Sequence, residues 1–277
     1  MLLPPDHAYI VCSTQRSGST FLCRLLASTG VAGNPEEFFE ARAETGMPPT
    51  PGFFLAGLPR TGAGVRDDPQ PIDAPEYSDL RLVDGWRAHL ERTFRLGTTP
   101  NGVFAAKLMW SQLADMEQHA TAVPELAGLT GSELLETLFG GPSYVWVRRR
   151  DKVRQAISLW RALQTGIWRL EHPADDAGTA ELTYSFEGIE HLRRRLGVDD
   201  EAWGRFFAGS GIEPLELYYE EDVEPDPAGA VSRIVAHLGL ALPAGWEPDA
   251  STVRQSDDLN DDWQAAYDRD ATARWTV

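Results

Sequence analysis

The sequence predicts an α/β fold of a P-loop-like kind: three layers, α/β/α, with a central, mainly parallel sheet between helices. Two observations carry that expectation. Short runs of β-branched and aromatic residues alternate with stretches of helical apolar spacing through most of the chain. The first such run, Ala8 to Cys12, passes through a small polar turn straight into a helix start. No internal repeat and no second domain signal is present, so residues 1–277 read as one domain with a Pro/Gly-rich insertion at about 45–76.

After that first strand comes Ser13-Thr14-Gln15-Arg16-Ser17-Gly18-Ser19-Thr20. Phe21, Leu22, Leu25 and Leu26 then recur at helical spacing, and Thr29-Gly30 supplies the stop. Ser17-Gly18-Ser19-Thr20 places amides, hydroxyls and a flexible Gly at a helix N-terminus, where unpaired N–H groups and the positive end of the dipole favour an anion. Arg16 adds a planar cation suited to phosphate or sulfate oxygens. A nucleotide-hydrolysing loop matches poorly, because Gly18 is followed by Ser19 instead of Lys and no Gly opens the loop. The residues alone also allow a plain capped helix.

Residues 34–40 put a carboxylate pair beside Phe38 and Phe39. They read either as acidity at a helix start or as Glu37 held against aromatic walls, where desolvation makes a carboxylate a better general base. From about 45 to 76 neither period survives; a loop this long is expected to be an acceptor-side loop or a subunit-contact arm. Helical spacing returns over 77–96, and Asn101-Gly102 turns into a buried strand ending in Ala106-Lys107-Leu108-Met109. Lys107, one of two lysines in the chain, is either a snorkelling strand-end cation or a ligand cation at the carboxyl edge, where open α/β sheets bind. Helices follow over 113–138, broken near Pro124 and Gly131.

Ser143 to Val147 is the second strong strand signal. It runs into Arg148-Arg149-Arg150-Asp151 and a helix with Val153, Ala156, Ile157, Trp160 and Leu163 on one face. Residues 160–169 interleave Trp and Arg, as core packing or as an aromatic platform for a sugar. Residues 187–207 read as a helix, with His191 a surface or satisfied histidine. Residues 214–222 read as a strand ending in acids that orient loops or cap helices, followed by a helix through Val231, Ile234, Val235 and Leu238 that closes at Gly239.

Net charge is −17, from 42 acidic and 25 basic residues, which argues against nucleic acid and anionic membrane as partners. A small anion remains possible, because Arg148, Arg149, Arg150, Lys152 and Arg154 concentrate positive charge. The acidic runs at 213–226 and 257–270 read as solvated surface. No stretch of about 18 apolar residues suggests a membrane span, and residues 1–7 lack the make-up of a signal peptide. Cys12 and Cys23 read as buried thiols in a reducing cytoplasm, too few for a zinc site.

Thr14 through Thr20, taken with Gly30-Val31-Ala32-Gly33-Asn34-Pro35-Glu36-Glu37-Phe38-Phe39, resembles the opening of the trehalose 2-sulfotransferase family, a bacterial branch of the enzymes that use 3′-phosphoadenosine-5′-phosphosulfate (PAPS). The resemblance runs in matching order along nearly the whole chain. It implies the sulfotransferase fold, and that Gln15, Arg16, Ser17, Gly18, Ser19 and Thr20 cradle the 5′-phosphosulfate without a metal. It implies that Glu37, directly before Phe-Phe, takes the acceptor proton, and that Lys107 faces the transferring sulfonate or the acceptor. Ser158 matches the family's 3′-phosphate serine. Arg149, nine residues before it, has this branch's spacing, and Arg150, eight before, has that of the more distant cytosolic sulfotransferases. Arg254, in an Arg-Gln segment, is expected to fold over the nucleotide, and a homodimer is implied.

The expected function is therefore sulfonate transfer from PAPS to a carbohydrate hydroxyl, trehalose at its 2-hydroxyl first, with Glu37, Arg16 and Lys107 at the reacting centre. The alternatives are a sulfotransferase for another natural product, a kinase-like P-loop transferase using ATP and magnesium, and a non-catalytic nucleotide-binding protein.

Overall fold

Four parallel strands organise the first of two units into which the chain divides: Met1–Pro48, Ile72–Arg150 and Asp199–Asp249 in one, Pro49–Pro71, Asp151–Val198 and Ala250–Val277 in the other. The structure is a computed structural model that describes residues 4–40, 54, 85–165, 182–248 and 258–275. The strands are β1 (His7–Ser13), β2 (Val103–Met109), β3 (Ser143–Arg148) and β4 (Leu215–Tyr218), in the order β2-β1-β3-β4. Ser13 pairs with both Met109 and Val147, and Arg148 with Tyr218, so the strands finish together along one edge. The strand order changes direction between β1 and β3. The crevice between their carboxyl ends is where ligands bind in open parallel sheets.

Alternation along β1 divides the core. Ile10 and Cys12, with Phe104, Leu108 and Trp146, pack on α2 (Gly85–Gly97), α3 (Trp110–Ala120), α4 (Gly131–Phe139) and on Trp203 and Phe207 of α6 (Phe186–Ser210). Tyr9 and Val11, with Ala105, Val145 and Val147, pack on Leu22, Leu25 and Leu26 of α1 (Ser19–Ser28) and on Val231, Ile234 and Val235 of α7 (Pro227–His237). Each such aliphatic side chain contributes roughly 1.5–3 kcal/mol by leaving water. This is the expected three-layer arrangement, with strands buried on both faces as parallel sheets require. Cys12 and Cys23 are free, buried thiols, and burial raises the Cys12 pKa well above its usual value.

Of the two readings left open for residues 34–40, the helix start is not what forms. Residues 34–37 do not start a helix. Asn34 donates its amide to Gly97 O (2.9 Å), Glu36 forms a parallel bridge with Ala106, and Glu36 O accepts from the Lys107 amide (2.9 Å). Only Phe38–Glu40 turn, as one 3-10 turn. The open edge of β2 captures this stretch, and Pro35, which has no N–H to donate, fits an edge position.

The second unit contains α5 (Lys152–Thr165), the residues of α6 up to Val198, and α8 (Asp258–Trp275) around Ile157, Trp160, Leu163, Ile189, Leu192, Trp263 and Tyr267. Trp160 is fully buried and donates Nε1 to Thr183 O (2.9 Å), so it is core and not a sugar platform. The acidic run at 257–270 is also more than solvated surface: Trp263 and Tyr267 turn inward, Asp261 pairs with Arg154 (2.5 Å), and Asp270 accepts from Tyr184 Oη (2.9 Å). Burial raises the Glu190 pKa, but hydrogen bonds from Arg193, Tyr267 and Arg194 outweigh it and bring the carboxyl down to about 2. His191 Nε2 lies 3.0 Å from Phe54 O and is satisfied there. The insertion at 45–76 apart from Phe54, Trp168 and Arg254 lie outside the described residues. No helix among the described residues is long and apolar enough to cross a membrane.

Candidate active site

The turn after β1 is built by three constraints. Arg16 has φ of +60°, the one non-glycine residue with positive φ among the described residues, a conformation seen mostly where surroundings enforce it. Gly18 follows at φ +86°, and a Cβ there would lie 2.1 Å from the Tyr219 ring, so both backbone and space demand glycine. The strand end is pinned from behind, where Ser13 O accepts from Trp203 Nε1 (3.0 Å) and Ser13 Oγ lies 3.1 Å from Ser19 Oγ. From here α1 starts with Gly18 as its N-cap, a residue with no side chain to bond the first amides. Ser17 is fully buried, and its Oγ has no hydrogen-bond partner among the described residues. A buried hydroxyl beside a helix N-terminus is chemically suited to an oxygen-rich anion.

Lys107 lies at the next strand end, on the α1 face of the sheet by the register Val11↔Lys107. Only 1% of its side chain is exposed, which rules out the snorkelling reading. The ammonium reaches Glu37 Oε1 (2.5 Å) and Thr20 Oγ1 (2.7 Å). Lys107, 87 residues after Thr20, therefore joins the candidate base to the turn after β1. Glu37 is 12% exposed, and its other oxygen accepts from Gln112 Nε2 (3.3 Å). Its backbone is held on either side by the Glu36 bridge and by Phe38 O, which accepts from His89 Nε2 (2.8 Å). Burial brings the His89 pKa down to about 4, so this ring is neutral and donates through Nε2.

The three arginines at the end of β3 are not equivalent, and none is a bare cation. Arg148 is absorbed by structure: Asp200 (2.8 Å), Glu216 (2.5 Å) and the Trp146 ring, 4.0 Å away, hold it. Arg150 is 55% exposed, pairs with Glu221 (2.7 Å) and lies 3.3 Å over the Tyr218 ring. Arg149 alone turns towards the loop. Its Nη1 donates to Arg16 O (3.2 Å), and its Nε pairs with Glu220 (3.2 Å). Glu216, Glu220 and Glu221 thus work as partners for this cluster, from β4 and the π-helical turn Tyr219–Val223, while Asp226 caps α7 through the Gly229 amide.

Of the residues singled out in the sequence, the first unit brings Arg16, Ser17, Gly18, Ser19, Thr20, Glu37, Lys107 and Arg149 to the carboxyl ends of β1, β2 and β3. Gln15 joins them, with Nε2 3.4 Å from Ser111 Oγ. Ser158 lies on α5, in the second unit. Sequence reasoning missed Gln112, His89, Tyr219 and Glu220. Gln112 alone carried a signal, as a Gln in the first turn of a helix, a position that favours bonding back to the backbone.

A family model described as Stf0 sulphotransferase matches residues 8–270. A protein named Trehalose 2-sulfotransferase from Mycobacterium tuberculosis (strain ATCC 35801 / TMC 107 / Erdman) is 36% identical over 273 residues, covering 95% of each chain. A second of that name, from Mycolicibacterium smegmatis (strain ATCC 700084 / mc(2)155), is 33% identical over 273 residues, covering 96% of this chain and 97% of its own. The crystal structure of a sulfotransferase from Alicyclobacillus acidocaldarius aligns over 98% of this chain and 93% of its own, with TM-score 0.43 and 15% identity.

Proposed function

The chain belongs to the Stf0 sulphotransferase family and is a sulfotransferase, and on that premise we propose that PAPS is its donor and a carbohydrate hydroxyl its acceptor. The names of the two mycobacterial relatives support trehalose, at its 2-hydroxyl, as that acceptor. The observation that carries the reading is the buried Lys107, which holds Glu37 with one hydrogen bond and the donor loop's Thr20 with another.

In the proposed reaction the acceptor oxygen attacks sulfur as the bond from sulfur to the bridging phosphate oxygen breaks. The electron pair departs on that oxygen, leaving adenosine 3′,5′-bisphosphate, and the hydroxyl proton passes to Glu37. Gln15 through Thr20 hold the 5′-phosphosulfate: Arg16 offers charge, the start of α1 offers amides, and Ser17 its unsatisfied hydroxyl. Lys107 supplies fixed positive charge at the edge where negative charge develops, and it needs no reorganisation to do so. Of the two candidate arginines we assign the 3′-phosphate to Arg149, since it is the one bonded to the loop. Ser158 and Arg254 join it on the resemblance alone, and a homodimer and a cytoplasmic setting belong to the same proposal.

Mass spectrometry of an acceptor panel incubated with PAPS tests the reading, with sulfated trehalose as the expected product. A thermal-shift titration tests the donor. Adenosine 3′,5′-bisphosphate should stabilise the protein in EDTA, and stabilisation by ATP with magnesium alone would overturn the assignment in favour of a kinase-like transferase.

A further inference from the structure

We infer that Gln112 is a positioning residue for the reaction, acting through Glu37. The inference rests on the reading of Glu37 as the acceptor's base. Gln112 is 3% exposed, in the first turn of α3, directly after the strand that carries Lys107. Its Oε1 accepts from the Met109 amide (2.9 Å) and its Nε2 lies 3.3 Å from Glu37 Oε2.

The first contact determines the second. A backbone N–H can only donate, so the amide oxygen must face Met109 and the NH₂ must face Glu37. Gln112 therefore cannot flip to offer Glu37 an acceptor. It favours the ionised carboxylate, the form able to take a proton, and disfavours a neutral acid with its proton on Oε2. Lys107 from β2 holds Oε1 while Gln112 from α3 holds Oε2, so two anchors on different elements define the plane of the carboxylate. A single ion pair would leave that plane free to rotate, and misplaced reacting groups cost rate steeply.

The substitution that isolates this role is Gln112→Glu. It keeps an acceptor for the Met109 amide, and so the helix start, but replaces the donor to Glu37 with a second carboxylate. Gln112→Met, of similar length, removes both contacts and serves as the second variant. For both we expect kcat to fall about 10- to 100-fold while affinity for adenosine 3′,5′-bisphosphate changes less than about twofold and the acidic limb of the kcat/KM profile moves to higher pH. Glu37→Gln is measured beside them. If it turns over like wild type, the base reading fails and this inference with it. If it is inactive while Gln112→Glu or Gln112→Met keeps wild-type kcat and an unmoved acidic limb, the positioning role alone is overturned. Equal losses of kcat and nucleotide affinity in both variants overturn it too, since they mark general loosening.

Discussion

Replacing Lys107 by Met keeps the length of the side chain and removes the ammonium, which makes it the sharpest test of how this site is held together. At 2.5 Å, with the lysine 1% and the glutamate 12% exposed, the pair attracts by roughly 7 kcal/mol at an effective dielectric constant of about 20. Desolvating both ions offsets most of that, so the intact pair adds little net stability. Removing one partner is a different matter: a carboxylate left in a half-closed site, together with Thr20 Oγ1 losing its donor, costs about 3–5 kcal/mol. The remaining exposure of Glu37 lets water approach, so the lower end of that range, about 3 kcal/mol, is expected near pH 8. Urea unfolding of Lys107→Met, Glu37→Gln and the double variant measures it. Glu37→Gln removes the charge that Lys107 answers, so the double variant should lose clearly less than the sum of the two singles. A deficit under about 1 kcal/mol, or simple additivity, would refute the argument that Lys107 and Glu37 act as a pair.

Two further expectations come from the same geometry. Arg149→Ala should weaken adenosine 3′,5′-bisphosphate by more than about 10-fold in calorimetric titration and Arg150→Ala by less than about threefold, since charge-assisted phosphate contacts exceed exposed ones; the reverse order would move the assignment to Arg150. His89 is held neutral in the fold with its pKa down to about 4, against 6.5 for a free imidazole, so the unfolded chain binds the extra proton. Its contribution is then intact above about pH 6.5 and declines as pH drops towards 4, by about 3 kcal/mol in total. His89→Gln should flatten that part of the stability–pH curve, and an unchanged slope would show that another group carries it.

Much of this protein was legible one segment at a time. Ala8 to Cys12, Val103 to Met109 and Ser143 to Val147 announce strands because burial on both faces selects β-branched and aromatic residues. Ser17-Gly18-Ser19-Thr20 reads as a candidate anion loop because helix-start amides and hydroxyls are local chemistry. Glu37 stood out beside its two phenylalanines, and Lys107 as a cation where an apolar run ends. Residues 34–37 misled because the edge of β2, which captures them, is formed about 70 residues later in the chain.

What the sequence determined by itself was the inventory: an α/β chain, a loop whose chemistry suits an anion, a carboxylate and a cation worth watching, and three arginines of unequal promise. Only the tertiary structure decided which of them meet. Placing β2 beside β1 puts Lys107 between Glu37 and Thr20, and the turn after β4 brings Tyr219 against Gly18 and Glu220 against Arg149. Propensity and periodicity act over a few residues, whereas strand order follows from long-range burial. Which charges are paired, and how dearly they are held, therefore becomes visible only once the sheet has closed around them.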